Sequence, residues 1–307
     1  MSQLRETKKI QNPFKDFFDE KNQSHHRFCD CTDWNTWIWG PYLGARLWDS
    51  PKGKVLYRRM MDGTSTYTAQ NSDPLSKDSL SLLFSLAKEQ NQPLCLFPLS
   101  EAEKDRLLTL YPHALAETSP NWSDYLYHAF DLATFHGKKF NGQRNHLNRF
   151  RALYPEGTCA EICDQNRTDV LAFLDLFYSD FTVDEAIVSE RQAITDLVKH
   201  AAFDGSEGLF GCAVFTKDGV VAMAIGEVVG DTLCIHAEKA LRQVRGAYQA
   251  IVSGFASRFL EQGVKYINRE EDDGNEGLRT SKLSYQPVSV LSKWRVILPS
   301  LETAKKS

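Results

Sequence analysis

The chain has 307 residues, 42% of them hydrophobic and 25% charged, with 36 lysines and arginines against 40 aspartates and glutamates. This length is about two average domains of roughly 150 residues, enough to bury a core without disulfide or metal staples, and the composition excludes collagen-like, coiled-coil and disordered chains. At a net charge of -4, no overall basic field draws the chain to nucleic acid or membrane, so any such contact is local.

Residues 1–20 are charged and lack the apolar core of a signal peptide, and no run reaches the roughly 18–20 apolar residues that span a bilayer. The expectation is a cytoplasmic protein without a transmembrane segment, whose seven cysteines (29, 31, 95, 159, 163, 212 and 234) stay reduced. His25, His26, Cys29 and Cys31 do not match common structural zinc spacings, and no metal is expected. Trp34, Trp37, Trp39 and Trp48 read as core and domain packing rather than as a nucleobase platform.

Residues 55–60 and 64–68 read as strands flanking Asp62-Gly63, a hairpin dipeptide. A helix is predicted from Pro74, favoured at a first helical position, to Gln90. A strand over 94–97 follows, then a helix opened by the capping box of Ser100 and Glu103, then a closing strand over 125–130. Residues 132–155 carry Lys138, Lys139, Arg144, Arg149 and Arg151 and no acidic residue. Phe140, Leu147 and Phe150 recur on one helical face, leaving the cations with Asn145 and Asn148 on the other. Those cations either contact ligand phosphates or pair with the acidic run 164–190.

Asn166 or Thr168 caps a helix carrying Val170, Leu171, Phe173, Leu174 and Phe177, and Thr182 with Glu185 opens another, to about residue 202. Strands over 208–217 and 220–229 meet at Asp218-Gly219, and a third strand covers 232–237. A helix over 243–261 ends at Gly263; a strand (264–268), a helix (276–284) and a last strand (287–298) complete the chain. Both halves follow one order of elements, so two similar α/β domains with mixed sheets stand in tandem. The expected boundaries are residues 1–131, a basic junction helix over 132–157, a C-terminal domain over 158–300 and a tail over 301–307.

Three segments carry a resemblance: Asp131-Leu-Ala-Thr-Phe-His-Gly-Lys-Lys-Phe through Arg144-Asn-His-Leu-Asn-Arg-Phe; His236-Ala-Glu-Lys-Ala through Arg245-Gly-Ala-Tyr-Gln-Ala; and Asn268-Arg-Glu-Glu-Asp through Gly277-Leu-Arg and Lys282-Leu-Ser-Tyr. Over most of residues 30–298 the chain resembles the phosphatidylglycerol lysyltransferase C-terminal family, which implies two tandem acyl-CoA N-acyltransferase (GNAT)-like domains. The family resemblance implies aminoacyl-tRNA as co-substrate, whereas the fold at large implies an acyl-CoA; neither is expected as a tightly bound cofactor. The acceptor is an amine or hydroxyl, with a phospholipid such as phosphatidylglycerol, reached by peripheral membrane contact, among the options. A non-catalytic tRNA- or anionic-lipid-binding module is the alternative from another class.

In such folds the turn before the long helix cradles a pyrophosphate through the pattern Gln/Arg-x-x-Gly-x-Gly/Ala, matched here by Gln243 and Gly246 but not by Tyr248. The expected donor-phosphate residues are Lys239, Arg242, Gln243, Arg245, Gly246, Ala247 and Tyr248. Alternatively, Gly246 only lets a helix start close to a strand. Strand alternation sends Cys234, His236 and Glu238 to one face, making Glu238 and His236 catalytic candidates, with salt bridging to Lys239 or Arg242 as the alternative for Glu238. The resemblance makes Tyr285 the acid for the leaving group, unless it is a packed aromatic. Lys138, Lys139, Arg144, Asn145, Arg149, Glu227, Asn268, Arg269, Glu270 and Lys282 complete the expected cleft.

Overall fold

The computed structural model describes residues 10–18, 27–71, 73–182 and 184–298; His25, His26 and the tail 301–307 lie outside them. The Trp-rich stretch forms helix α1 (Asp33–Leu43), ended by Gly44 in the left-handed conformation at φ 58°. Strands β1 (Arg46–Ser50), β2 (Gly53–Arg59) and β3 (Ser65–Ala69) make an antiparallel sheet. Its β2–β3 hairpin turns at the predicted Asp62-Gly63, where the Thr64 N–H donates to Asp62 Oδ1 at 2.9 Å. Helix α2 (Lys77–Glu89) starts three residues after Pro74, because the Ser76 hydroxyl accepts from the Ser79 N–H and supplies the cap. After β4 (Leu94–Leu99), α3 (Glu101–Leu110) opens on the predicted capping box, with Ser100 and Glu103 each bonded to the other's backbone. Strands β5 (Leu115–Thr118) and β6 (Asp124–His128) follow.

Helix α4 (Ala129–Thr134) leads to the basic helix α5 (Asn141–Leu153), whose Leu147 and Phe150 are buried as its periodicity predicts. Next come β7 (Thr158–Glu161), α6 (Arg167–Ser179) and α7 (Glu185–His200). The cap of α7 is Asp184, whose carboxylate accepts from the Ile187 N–H, and not Thr182. Strands β8 (Leu209–Thr216), β9 (Gly219–Val229) and β10 (Thr232–Ala240) form the predicted meander. Helix α8 (Ala247–Ser257) is shorter than the predicted 243–261. At φ 83°, Gly246 sets its start, and residues 241–247 are held by successive turns, Val244 N–H to Leu241 O and Ala247 N–H to Val244 O. Then follow β11 (Tyr266–Asn268), α9 (Glu276–Ser284), β12 (Ser289–Leu291) and β13 (Trp294–Leu298).

The large sheet is mixed, in the order β12-β6-β11-β10-β9-β8-β7. Strands β10 and β11 run parallel, and the pairs β6–β11, β10–β9, β9–β8 and β8–β7 are antiparallel. A third sheet has the order β4-β13-β5. The α/β class with mixed sheets is the one expected, but two strands change places. β6 pairs with β11 rather than closing the first half, and the predicted strand 287–298 divides into β12 and the central strand β13, which hydrogen-bonds to β4 and β5 on either side. The compact units are therefore discontinuous. One is chiefly Leu126–Arg269 with Ser281–Ser289; the other comprises Phe14–Tyr125, Glu270–Thr280 and the stretch from Val290. Boundaries at 131 and 158 do not describe them, because backbone pairing places a strand and chain order does not.

Candidate active site

Strand β10 carries the first candidates into a local irregularity. The β9–β10 register slips between Ile235 and Ala237, making His236 the extra residue of a bulge, and Gly226 opposite leaves room where a Cβ would lie 2.4 Å from the Cys234 carbonyl oxygen. Simple alternation therefore does not hold from Cys234 to Glu238. His236 is buried, and its Nε2 lies 2.8 Å from Glu227 Oε1, itself buried. This pair is sealed in the sheet, and neither member is among the residues lining the cleft at the start of α8.

Beyond β10 the chain turns at Gly246 into α8, whose N-terminus has no side-chain cap and no acidic residue in its first turn. A Cβ at Gly246 would meet the His146 carbonyl oxygen at 2.3 Å and Phe150 Cβ at 2.8 Å. Glycine here thus admits the backbone of α5, rather than a neighbouring strand. Between α5, this turn and α9 lies a cleft of about 390 Å³. Its rim holds His146, Arg149, Arg242 and Arg245, and its wall Tyr248, Gln249, Ser284 and Tyr285; no carboxylate lines it. Cations at a helix N-terminus oppose the dipole, so the arrangement favours an anionic occupant.

Behind this wall, Arg269 donates through Nη2 to Glu238 Oε1, and its guanidinium lies 4.4 Å from the Tyr285 ring centroid. The two charged side chains are 8% and 10% exposed. Glu238 Oε2 and Arg269 Nη1 are nonetheless buried without a hydrogen-bond partner. Such groups cost free energy unless something completes them. Burial alone would lower the Arg269 pKa; Glu238, with Tyr127 and Tyr285, outweighs it and raises the pKa. Burial raises the pKa of Tyr285 and, with Glu238, that of Tyr248, so both phenols hold their protons. The Tyr285 hydroxyl accepts from Gln249 Nε2 at 3.1 Å, and the same amide nitrogen donates to Gln143 Oε1.

The remaining candidates are placed elsewhere. Lys239 pairs with Glu190 at 2.7 Å and covers the rings of Phe177 and Tyr178, so it is a packing cation. Gln243 is exposed and outside the cleft lining, whereas Ala247 is buried as the first residue of α8. Arg144 is turned inward, donating to the Phe135 and Gly137 carbonyl oxygens and to Asn141; it braces the loop before α5. Lys139 pairs with Asp131, while Lys138 and Asn145 are exposed and outside the cleft. Asn268 is fully buried in β11, and the Lys282 ammonium is buried against the Arg269 carbonyl oxygen. Glu270 accepts from Asn35 in the other unit's own fold. The acidic run takes other partners than α5: Asp164 pairs with Arg167, Asp175 with Arg191 and Glu190 with Lys239.

One charged cluster has no local signature in the sequence. Cys29, Asp30, Asp124 and Glu271 bring potential ligand atoms within 4.8 Å of one another. The Lys293 ammonium sits among them, 2.7 Å from Asp124, 3.3 Å from Glu271, 3.4 Å from Cys29 Sγ and in contact with Asp30. Burial opposes the charge on Lys293, but the surrounding carboxylates prevail and raise its pKa. Burial, then Asp124 and Glu271, raise the Cys29 pKa, so the thiol stays protonated and is a poor nucleophile. The lysine fills the place a metal cation would take.

The sequence profile of the family described as phosphatidylglycerol lysyltransferase, C-terminal, matches residues 32–297. The crystal structure of a conserved protein of unknown function from Bacteroides thetaiotaomicron VPI-5482 is 30% identical and superposes with a TM-score of 0.81, covering 95% of this chain and 99% of that one. L-PGS from Bacillus licheniformis shares the fold at 14% identity, with a TM-score of 0.61 over 89% of each chain. An uncharacterised protein of Mycoplasmoides gallisepticum is 26% identical over 177 residues; the match covers 57% of this chain and only 56% of that relative's length. Among the described residues no helix is long and apolar enough to cross a membrane.

Proposed function

The chain belongs to the phosphatidylglycerol lysyltransferase C-terminal family, and from that premise we propose that it is an aminoacyltransferase using aminoacyl-tRNA, with the α8 cleft as its donor site. The observation that carries this reading is the carboxylate-free rim of Arg149, Arg242, Arg245 and His146 at an uncapped helix start. Guanidinium groups suit phosphate oxygens in direction as well as charge. Two features favour tRNA over an acyl-CoA: Tyr248 stands where the pyrophosphate pattern has Gly or Ala, and α5 takes up the close approach at Gly246.

In this reading the acceptor's amine or hydroxyl attacks the ester carbonyl. Glu238 takes the proton through its unpartnered Oε2, Arg269 steadies the developing oxyanion through Nη1, and the departing ribose oxygen is protonated by Tyr285. One C–O bond breaks as one amide or ester bond forms. The acceptor is of the amine or hydroxyl class, and a phospholipid headgroup belongs to it.

The test is single-turnover transfer from labelled aminoacyl-tRNA by the wild type, Glu238→Gln and Tyr285→Phe. Loss of transfer by about 100-fold or more with tRNA affinity unchanged supports these roles. Unchanged transfer in both variants contradicts them, and tRNA binding with no turnover by the wild type supports the binding-module alternative.

A further inference from the structure

A second cavity, of about 470 Å³, lies wholly within the unit that contains β1–β3, apart from the residues of the α8 cleft. Antiparallel pairing places Arg46 opposite Tyr57 and Trp48 opposite Val55, and the two-residue period puts Arg46, Trp48, Tyr57 and Arg59 on one sheet face. All four line the cavity, with Gln90 and Gln92 from the loop between α2 and β4 on its edge. No acidic side chain lines it.

The arginines differ from others of their unit. Arg295 pairs with Asp62 and Glu117, Arg106 pairs with Asp73, and Arg58 is buried and donates to the Asp30 carbonyl oxygen. Arg46 and Arg59 are exposed, and among the described residues neither forms a salt bridge. The rings between them are half-buried, meet edge to face with centroids 5.5 Å apart, and pack against neighbours on the same sheet face. Trp48 stacks on buried Tyr67 with centroids 6.2 Å apart and planes 12° apart, and the Tyr57 hydroxyl lies 3.0 Å from Ser65 Oγ. That hydrogen bond with Ser65 lowers the Tyr57 pKa against the effect of burial, and Arg59 and Arg46 lower it further.

We propose that this cavity binds a nucleotide, its base against Trp48 and Tyr57, its phosphate on Arg46 and Arg59, and its base edge within reach of Gln90 and Gln92. The volume falls within the roughly 300–1,000 Å³ of small-ligand sites. Fixed aromatic faces flanked by guanidinium groups are the combination that holds unstacked nucleotides, because every base has a π-face and every phosphate a charge. Trp48 packs against the core of its unit, as its spacing suggests, and in this proposal its remaining surface also contacts the base. This nucleotide site is independent of the α8 cleft and of its donor.

The ligand chemistry is shared by a free nucleotide and by one unit of an RNA strand. The experiment uses the full chain, 5′-AMP, and a single-stranded 12-mer RNA containing 4-thiouridine, with the wild type and an Arg46→Ala/Arg59→Ala double variant of two exposed positions. The expected result is cross-linking of the RNA to the peptide holding Trp48 and Tyr57, and at least tenfold weaker RNA binding by the variant. Micromolar 5′-AMP binding that the variant loses identifies the free nucleotide as sufficient; competition only by the strand identifies RNA. Cross-links confined to residues 146–149 or 242–248 would assign RNA to the α8 cleft alone and overturn the proposal. So would unchanged affinity for both probes in a folded double variant.

Discussion

Glu238 and Lys293 are both buried charges, and they stand in opposite situations. Glu238 shares one oxygen with Arg269 and leaves the other without a partner, whereas Lys293 is surrounded by Asp30, Asp124, Glu271 and Cys29. The first arrangement is incomplete; the second is complete. Removing the cation from the complete cluster leaves carboxylates buried against one another. Lys293→Met is therefore expected to destabilise the fold by about 3–5 kcal/mol, as deletion of one partner of a buried pair does, read from chemical denaturation. A loss below about 1 kcal/mol would show that water reaches the cluster. Burial pushes Asp124 up, Lys293 pulls it down, and Glu271 and Asp30 raise it further, so that its pKa goes from 3.8 to about 7. Between those values the folded chain holds a proton that the unfolded chain has released. Its contribution is full below about pH 4 and is lost as pH rises through about 7. Asp124→Asn is expected to flatten the loss of stability between pH 5 and pH 8, measured as denaturation midpoints. Equal losses in variant and wild type would contradict the assignment.

At the level of elements, Gly246 and Gly263 offer a matched pair, with φ of 83° and 82°. A Cβ at Gly263 meets nothing within 4 Å, while one at Gly246 strikes α5. Gly263→Ala is thus expected to cost about 1 kcal/mol of backbone strain alone, and Gly246→Ala about 2–3 kcal/mol. Equal costs in thermal or chemical denaturation would mean that α5 does not pack where the structure has it. The elements legible in sequence are those whose signals are local: the Ser100–Glu103 capping box, both Asp-Gly hairpins, and helix α9 to its last residue. The strand exchange is not legible, because β6 and β13 carry apolar residues acceptable in either sheet and only long-range pairing decides. The site divides likewise. Arg242 and Arg245 are visible as cations around a glycine turn and Arg149 as part of the acid-free basic stretch 132–155, and they meet in the cleft. Arg144 is visible in that same stretch, but nothing local announces that it turns to the Phe135 and Gly137 carbonyl oxygens. The bulge at His236 hides the break in alternation, and the Lys293 cluster joins Cys29 to Glu271 and Lys293, 242 and 264 residues away along the chain.

Across the molecule the net charge is -4, yet the α8 cleft and the β1–β3 cavity, one in each unit, are lined by arginines and by no carboxylate. In the proposed reading, polyanion binding depends on a few placed cations rather than on an overall field, and it is expected to fall with salt. The most direct test of the donor assignment is the binding of labelled tRNA to the full chain across a salt series, with coenzyme A as competitor and Arg149→Ala/Arg242→Ala/Arg245→Ala as the variant. The wild type is expected to bind at micromolar or tighter affinity, untouched by coenzyme A. Its logarithmic salt slope is expected to fall by about 2–3 in the variant, roughly 0.9 for each phosphate that the variant no longer neutralises. Saturable coenzyme A binding at the cleft with no tRNA binding would contradict the assignment, and would make the protein an acyl-CoA-dependent enzyme.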